Sequence, residues 1–353
     1  MIKKNMTRHS SPHSIAILHP QAEIRSWLKQ MIARHEKLML LWQADTADEM
    51  IVKTELQAVD ILLLDATQAK KNVQSVLSLS KDCLILLISN KNNQTGDIFN
   101  ALGAGAKDVV SLSEEIGDSK NEIIIKDKLQ LVLSLLKTSN SRNDTVSYTG
   151  NWAKNDAKSK SKFVKEINLV VIGSSTGGPE ALSQLLAPLS KEINAAIIIV
   201  QHLDDLFINE FVSWLSQHSD LPISIAEQGK QPETGHIYVA HPKAHLIMNT
   251  DHQFGYVDKP GQHTYQPSIN EFFGSIHKNW SAPNCAVLLT GMGKDGAKGL
   301  KKLQESGWRT YAQEKKSCAV FGMPKAALEM GAVEKTHSLK KISSAISELY
   351  ENN

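Results

Sequence analysis

The sequence predicts an α/β protein of two doubly wound parallel-sheet domains joined by a polar linker. Three observations carry that prediction. Short all-apolar runs alternate with helix-period segments twice along the chain, a polar stretch at 138–166 separates the two alternations, and 353 residues exceed one domain of roughly 150. Hydrophobic residues make up 41% and charged residues 22%, which is enough for sizeable cores and excludes a mainly disordered chain.

The first alternation covers 14–137. Strands are predicted at 15–18, 38–42, 61–64, 84–88 and 109–110, and helices at 23–33, 48–56 and 123–136. Buried apolar strands separated by helices imply a parallel sheet covered on both faces. Five such units in this length suit a flavodoxin-like domain. The third strand runs into Asp65 and the fourth into Ser89. Residues 138–166 are rich in Ser, Thr, Asn, Asp and Lys and read as a solvated linker.

The second alternation covers 167–350. Strands are predicted at 169–172, 195–200 and 285–289, with a short one at Tyr311. Residues 222–257 read as a β insertion of shorter strands and turns. Helices are predicted at 180–189, 205–217, 270–278, 296–305, 324–330 and 340–350. This is a larger, Rossmann-like doubly wound domain.

The 39 basic and 37 acidic residues leave a net charge of +2, which speaks against a nucleic-acid partner. No stretch reaches the roughly 18 apolar residues of a membrane span, so no direct membrane insertion is expected. Residues 1–13 are polar, without the apolar core of a signal peptide. Cys83, Cys285 and Cys318 lie in or beside apolar runs without metal-ligand spacing. They read as buried small hydrophobes in a reducing compartment, so a cytoplasmic protein with no metal or organic cofactor is expected.

The strongest chemical signal is Gly173-Ser174-Ser175-Thr176-Gly177-Gly178, after a strand and before a helix. Gly-x-Ser-x-Gly in that setting exposes a serine hydroxyl on a tight turn, and backbone N–H groups at the helix start can face an oxyanion. Ser175 is the nucleophile candidate, with Ser174 at the variable motif position. The competing readings are a plain Gly-rich turn and a phosphate cradle, and the missing Walker lysine and G-x-G-x-x-G spacing weaken nucleotide binding. Among thirteen histidines, His202 directly follows the next strand. Asp295, in Thr290-Gly291-Met292-Gly293-Lys294-Asp295-Gly296, follows another strand and would otherwise serve as a helix N-cap. Ligands bind outside the carboxyl ends of parallel strands, so three strand ends bring Ser, His and Asp to one edge. The competing order Ser175, Asp295, His337 would match α/β-hydrolases. His337, however, is expected in a polar connection, and the HGGG oxyanion signature is absent.

As a set, several motifs resemble the catalytic domain of the chemotaxis protein-glutamate methylesterases, the CheB family, over about 169–347. They are 172–178, Val200-Gln201-His202, Gln266-Pro267-Ser268, 289–296 and 317–324. The resemblance implies Ser175 as the nucleophile toward glutamate γ-methyl esters of chemoreceptors, His202 as its base and Asp295 as the third member. It further implies Thr176, Gly177 and the Met292 backbone N–H as transition-state or substrate contacts. Deamidation of receptor glutamines is a second candidate activity. The implied partner is the methylated cytoplasmic helical bundle of a chemoreceptor, with a chemosensory kinase as a second candidate.

Residues 14–137 resemble a response-regulator receiver, with Asp65 where the phosphoacceptor falls and Ser89 at the hydroxyl position. Two departures mark it as degenerate. His19-Pro20 stands where a receiver has the acidic pair that binds Mg²⁺, and Ser111-Leu112 where it has a lysine. A domain that docks or covers the catalytic face, rather than one phosphorylated through Mg²⁺, is expected. A catalytically silent adaptor is the competing function, favoured by the degenerate receiver and opposed by the intact triad.

Overall fold

The computed structural model describes residues 12–90, 96–113, 115–139, 167–258 and 265–351. The chain divides into two compact units, residues 1–142 and 143–353.

In the N-terminal unit the elements run β1 (His13–Leu18), α1 (Ala22–Ala33), β2 (Leu38–Ala44), α2 (Ala47–Leu56), β3 (Ile61–Asp65), α3 (Ala69–Leu79), β4 (Leu84–Asn90), α4 (Gly96–Gly103), β5 (Asp108–Leu112) and α5 (Ser119–Ser139). The strands form a parallel five-stranded sheet in the order β2-β1-β3-β4-β5, which is the flavodoxin-like order. Ile15–Leu18 and Ile61–Leu64 are fully buried, as strands covered on both faces must be. Helix α1 turns Ile24, Leu28 and Ile32, spaced at four residues, into the same core. Helix α5 begins earlier than predicted and continues to Ser139, so it takes the first two residues of the predicted linker. The rest of that linker, 140–166, lies outside the described residues, as do residues 1–11 of the N-terminal segment.

In the C-terminal unit the elements run β6 (Leu169–Ser174), α6 (Gly178–Leu186), β7 (Ala196–Gln201), α7 (Ile208–Ser216), β8 (Ile223–Ile225), β9 (Ile237–Val239), β10 (His245–Met248), β11 (Phe254–Val257), α8 (Ile269–Asn279), β12 (Cys285–Leu288), α9 (Ala297–Glu305), β13 (Arg309–Gln313), α10 (Met323–Glu329), β14 (Lys335–His337) and α11 (Leu339–Tyr350). Seven strands form one parallel sheet in the order β14-β13-β12-β6-β7-β9-β8. The predicted β insertion is therefore corrected. Strands β8 and β9 continue the main sheet, with Ile237–Val239 buried, and only β10 and β11 form a separate antiparallel pair. His337 is corrected too: it ends the edge strand β14 rather than lying in a connection.

The chain builds outward from β6 to β7 and then returns to β12 on the other side of β6. The order thus reverses beside β6, and the loops leaving β6, β7 and β12 emerge together at the carboxyl edge. A crevice at such a reversal is where doubly wound sheets bind ligands. Helix α8 packs beneath this edge. Its buried stripe Ile269, Phe272, Phe273 and Ile276 joins the same core as Leu288 and Leu300.

Candidate active site

Ser175 follows β6 directly and sits one residue ahead of the turn into α6. Gly177 occupies the N-cap of α6 at φ 74°, a left-handed conformation, and a Cβ there would lie 2.4 Å from Ala319 Cβ. Only glycine meets both conditions without strain. The turn is held from two sides. Gln201, the buried last residue of β7, donates to the carbonyls of Ser175 (3.0 Å) and His202 (2.8 Å) and accepts from Ser174 Oγ (2.6 Å). Across the reversal point, Thr290 Oγ1 donates to the Thr176 carbonyl (2.9 Å), and Thr290 N–H donates to Gln313 Oε1 (2.8 Å). Ser174 is therefore not an idle motif position. Its hydroxyl is fully buried, and losing it would strip Gln201 Oε1 of that donor.

The three sequence-selected residues converge. Ser175 Oγ lies 3.2 Å from His202 Nδ1, and His202 Nε2 lies 2.9 Å from Asp295 Oδ2. Since a carboxylate only accepts, Nε2 carries the proton and Nδ1 is left to accept from Ser175 Oγ–H. All three side chains are nearly buried. His337 is not brought to the site. It stands three strand positions from β6, about 14 Å at the usual sheet spacing.

Asp295 does not cap its own helix; Gly296 is the N-cap of α9. Its Oδ2 accepts from His202 and from Ile269 N–H (2.8 Å). Its Oδ1 accepts from Asn270 N–H (3.0 Å), Gly296 N–H (3.0 Å) and Ser268 Oγ (3.2 Å). Two of these donors are the first backbone N–H groups of α8, whose positive end favours an anion. Burial alone would raise the Asp295 carboxyl. The His202 contact and the α8 amides outweigh burial and hold it below the ordinary carboxylate value.

Free donors for an oxyanion are fewer than the turn suggests. Ser175 N–H is taken by the Thr290 carbonyl at 3.0 Å. The N–H groups of Gly177 and Met292 have no acceptor among the described residues. Sequence reasoning missed Tyr265, whose ring stacks on His202 with centroids 4.7 Å apart and 10° between planes. It also missed the anchoring of Asp295 by α8. Only the Gln266-Pro267-Ser268 motif hinted at that segment.

In the N-terminal unit, Asp65 ends β3 and is buried, with Oδ2 accepting from Thr67 Oγ1. His19 Nε2 lies 3.4 Å from Asp65 Oδ1, both side chains almost without exposure. His19 Nδ1 accepts from Gln21 N–H at 3.1 Å, so the neutral ring carries its proton on Nε2, facing the carboxylate. Burial holds the imidazole below the ordinary histidine value, against the pull of Asp65. Mg²⁺ requires an octahedron of oxygen ligands. One carboxylate facing an imidazole and a hydroxyl does not fit it, and no step is derived through that ion. Among the described residues no group of three or more His, Cys, Asp or Glu side chains is placed to hold a metal.

The CheB methylesterase family model matches residues 170–346. The chain is 31% identical over 343 residues to a protein-glutamate methylesterase/protein-glutamine glutaminase of Pseudomonas savastanoi pv. phaseolicola, covering 95% of this chain and 99% of that protein. It is 31% identical over 335 residues to one of Mesorhizobium japonicum, covering 92% and 95%. Among solved structures, the CheB methylesterase catalytic domain of Thermotoga maritima is 33% identical with a TM-score of 0.50, covering 52% of this chain and 99% of that one.

Proposed function

The chain belongs to the CheB methylesterase family, and we propose that it hydrolyses glutamate methyl esters on chemoreceptors and deamidates receptor glutamines at one site. The observation that carries this reading is the hydrogen-bonded series Ser175 Oγ, His202 Nδ1, His202 Nε2, Asp295 Oδ2. Ser175 Oγ attacks the ester carbonyl carbon while His202 Nδ1 takes its proton. Asp295 stabilises the imidazolium that results. The oxyanion faces the open N–H groups of Gly177 and Met292, beside Thr176. Collapse expels the methoxy group, which leaves as methanol with the proton from Nδ1. Water, deprotonated by His202, then cleaves the acyl-enzyme to free glutamate and Ser175. With a glutamine substrate the leaving group is ammonia.

The methylated helical bundle of a chemoreceptor is the substrate, with a chemosensory kinase as a further candidate partner. No helix among the described residues is long and apolar enough to cross a membrane. The His19–Asp65 pair supports a receiver unit that acts without Mg²⁺-dependent phosphorylation.

Methanol release from methylated chemoreceptor membranes tests the reading. Wild type should release methanol, and Ser175→Ala should release none while keeping its fold. A silent adaptor predicts no release from either.

A further inference from the structure

We propose that Tyr265 is a positioning residue for His202, holding the plane of the imidazole and favouring its protonated form during turnover. The proposal rests on the esterase reading of the site. The two hydrogen bonds of His202, to Ser175 and to Asp295, leave from the two ring nitrogens on either side of Cε1. They fix a line across the ring and leave rocking about that line unrestrained. A second ring stacked at 4.7 Å and within 10° of parallel blocks that rocking and keeps Nδ1 aimed at Ser175. Misplaced by about 1 Å, a base can lose about 10²-fold in rate.

The stack also acts on charge. When Nδ1 takes the serine proton the imidazole becomes a cation lying on an aromatic face, which attracts it. That attraction exists only once the proton has moved, so it lowers the barrier rather than strengthening the resting state. Of the titratable groups among the described residues, Asp295 meets the ring at Nε2 and the Tyr265 phenol lies on its face.

The protein builds a place for this ring. Tyr265 lies three residues before Ser268, which with Ile269 and Asn270 donates to Asp295. One stretch of chain therefore sets both the acid and the face of the base. Opposite it, Gly293 is at φ 79°, and a Cβ there would lie 2.7 Å from the Tyr265 hydroxyl. The loop after β12 leaves room for the phenol where a Cβ would collide with its hydroxyl.

The test compares the full-length wild type, Tyr265→Phe, Tyr265→Leu and Ser175→Ala by initial rates of methanol release across pH. Tyr265→Phe keeps the aromatic face and should stay within about 2-fold of wild type, whereas Tyr265→Leu should lose about 10-fold, chiefly in kcat. In Tyr265→Leu the acid limb of the kcat/KM profile should move about half a pH unit lower, because the protonated ring has lost its aromatic support. A merely structural role would not move that limb. An unmoved limb in Tyr265→Leu, whatever its kcat, or a loss in Tyr265→Phe as large as in Tyr265→Leu, overturns the proposal. Should Tyr265→Leu not fold, the wild-type protein decides. The His202 ring-proton resonance, assigned by its loss in His202→Ala, should be displaced upfield by the stacked ring, and an undisplaced resonance overturns the proposal. Undiminished methanol release by Ser175→Ala would instead sink the esterase reading beneath it.

Discussion

Replacing Asp295 by asparagine keeps the size of the side chain and changes one acceptor into a donor, so its consequence follows from which oxygen is lost. Oδ1 accepts from three donors, Ser268, Asn270 and Gly296, while Oδ2 accepts from two, His202 and Ile269. The amide oxygen will take the three-donor side. The NH₂ group then points at His202 Nε2 and Ile269 N–H. To accept that NH₂, the imidazole must move its proton from Nε2 to Nδ1, and a protonated Nδ1 cannot take the proton of Ser175. A triad locked in the wrong tautomer loses about 10⁴-fold in kcat, or about 5.5 kcal/mol of barrier. The folding cost is smaller. One N–H at the start of α8 loses its acceptor, worth about 1–3 kcal/mol, or roughly 2–12 °C in Tm for a unit of this size. Methanol release and a thermal melt on the same preparation separate the two effects. An Asp295→Asn variant within tenfold of wild-type kcat would refute both the tautomer argument and the role given to Asp295. The pH dependence has a definite sign. Because the Asp295 carboxyl is held low, its contribution to stability is present above the ordinary carboxylate range and lost only as pH falls through its lowered value.

Two further outcomes are expected. His202→Ala should lower the rate about 10³-fold or more, whereas His337→Ala, three strands away on the sheet edge, should leave it nearly unchanged; the reverse pattern in methanol-release rates would reinstate the hydrolase-like order. Acetyl phosphate with Mg²⁺ should not change methylesterase activity, and Asp65→Ala should have little effect, because His19 faces Asp65 where an acidic pair would hold the ion; stimulation that needs both Mg²⁺ and Asp65 would show that other ligands enter the pocket.

The triad was legible in the sequence because each member lies in the turn or loop that follows an apolar run, and parallel strands present such positions at one edge. The strands that were missed or misassigned lacked that signal. Strands β8 and β9 have three residues each and are separated by a polar stretch, so their membership in the main sheet is set by β9 pairing with β7 and β8 pairing with β9. Helix α3 was passed over because it has a lysine-rich start and few fully buried apolar residues, among them Val73 and Val76. Helix α4 is short and has glycine at both ends. His19 could be read as a departure from a receiver pattern. That it lies buried against Asp65 depends on β1 and β3 being neighbours in the sheet, which spacing along the chain does not reveal. Tyr265 was invisible for the same reason: its partner is 63 residues away by number (265 against 202) and meets it only in the fold.

The placement of Asp295 shows how core packing reaches the nucleophile. A carboxylate at the start of its own helix would be aimed by that helix alone. Here the carboxylate ends one loop and is gripped by the first turn of another helix, α8. The position of α8 is set in turn by Ile269, Phe272 and Phe273 in the core, and Ile269 lies so close to β6 that a Cβ at Gly173 would fall 2.5 Å from it. The strand that delivers Ser175 and the helix that holds Asp295 are therefore in direct contact beneath the site. His202 bridges them above it, with its backbone N–H bonded to the Ser174 carbonyl at 3.0 Å. Each member is referenced to the same few residues at the reversal point of the sheet. The distances that proton transfer requires are thus fixed by the close-packed core beneath the site, where Gly173 of β6 meets Ile269 of α8.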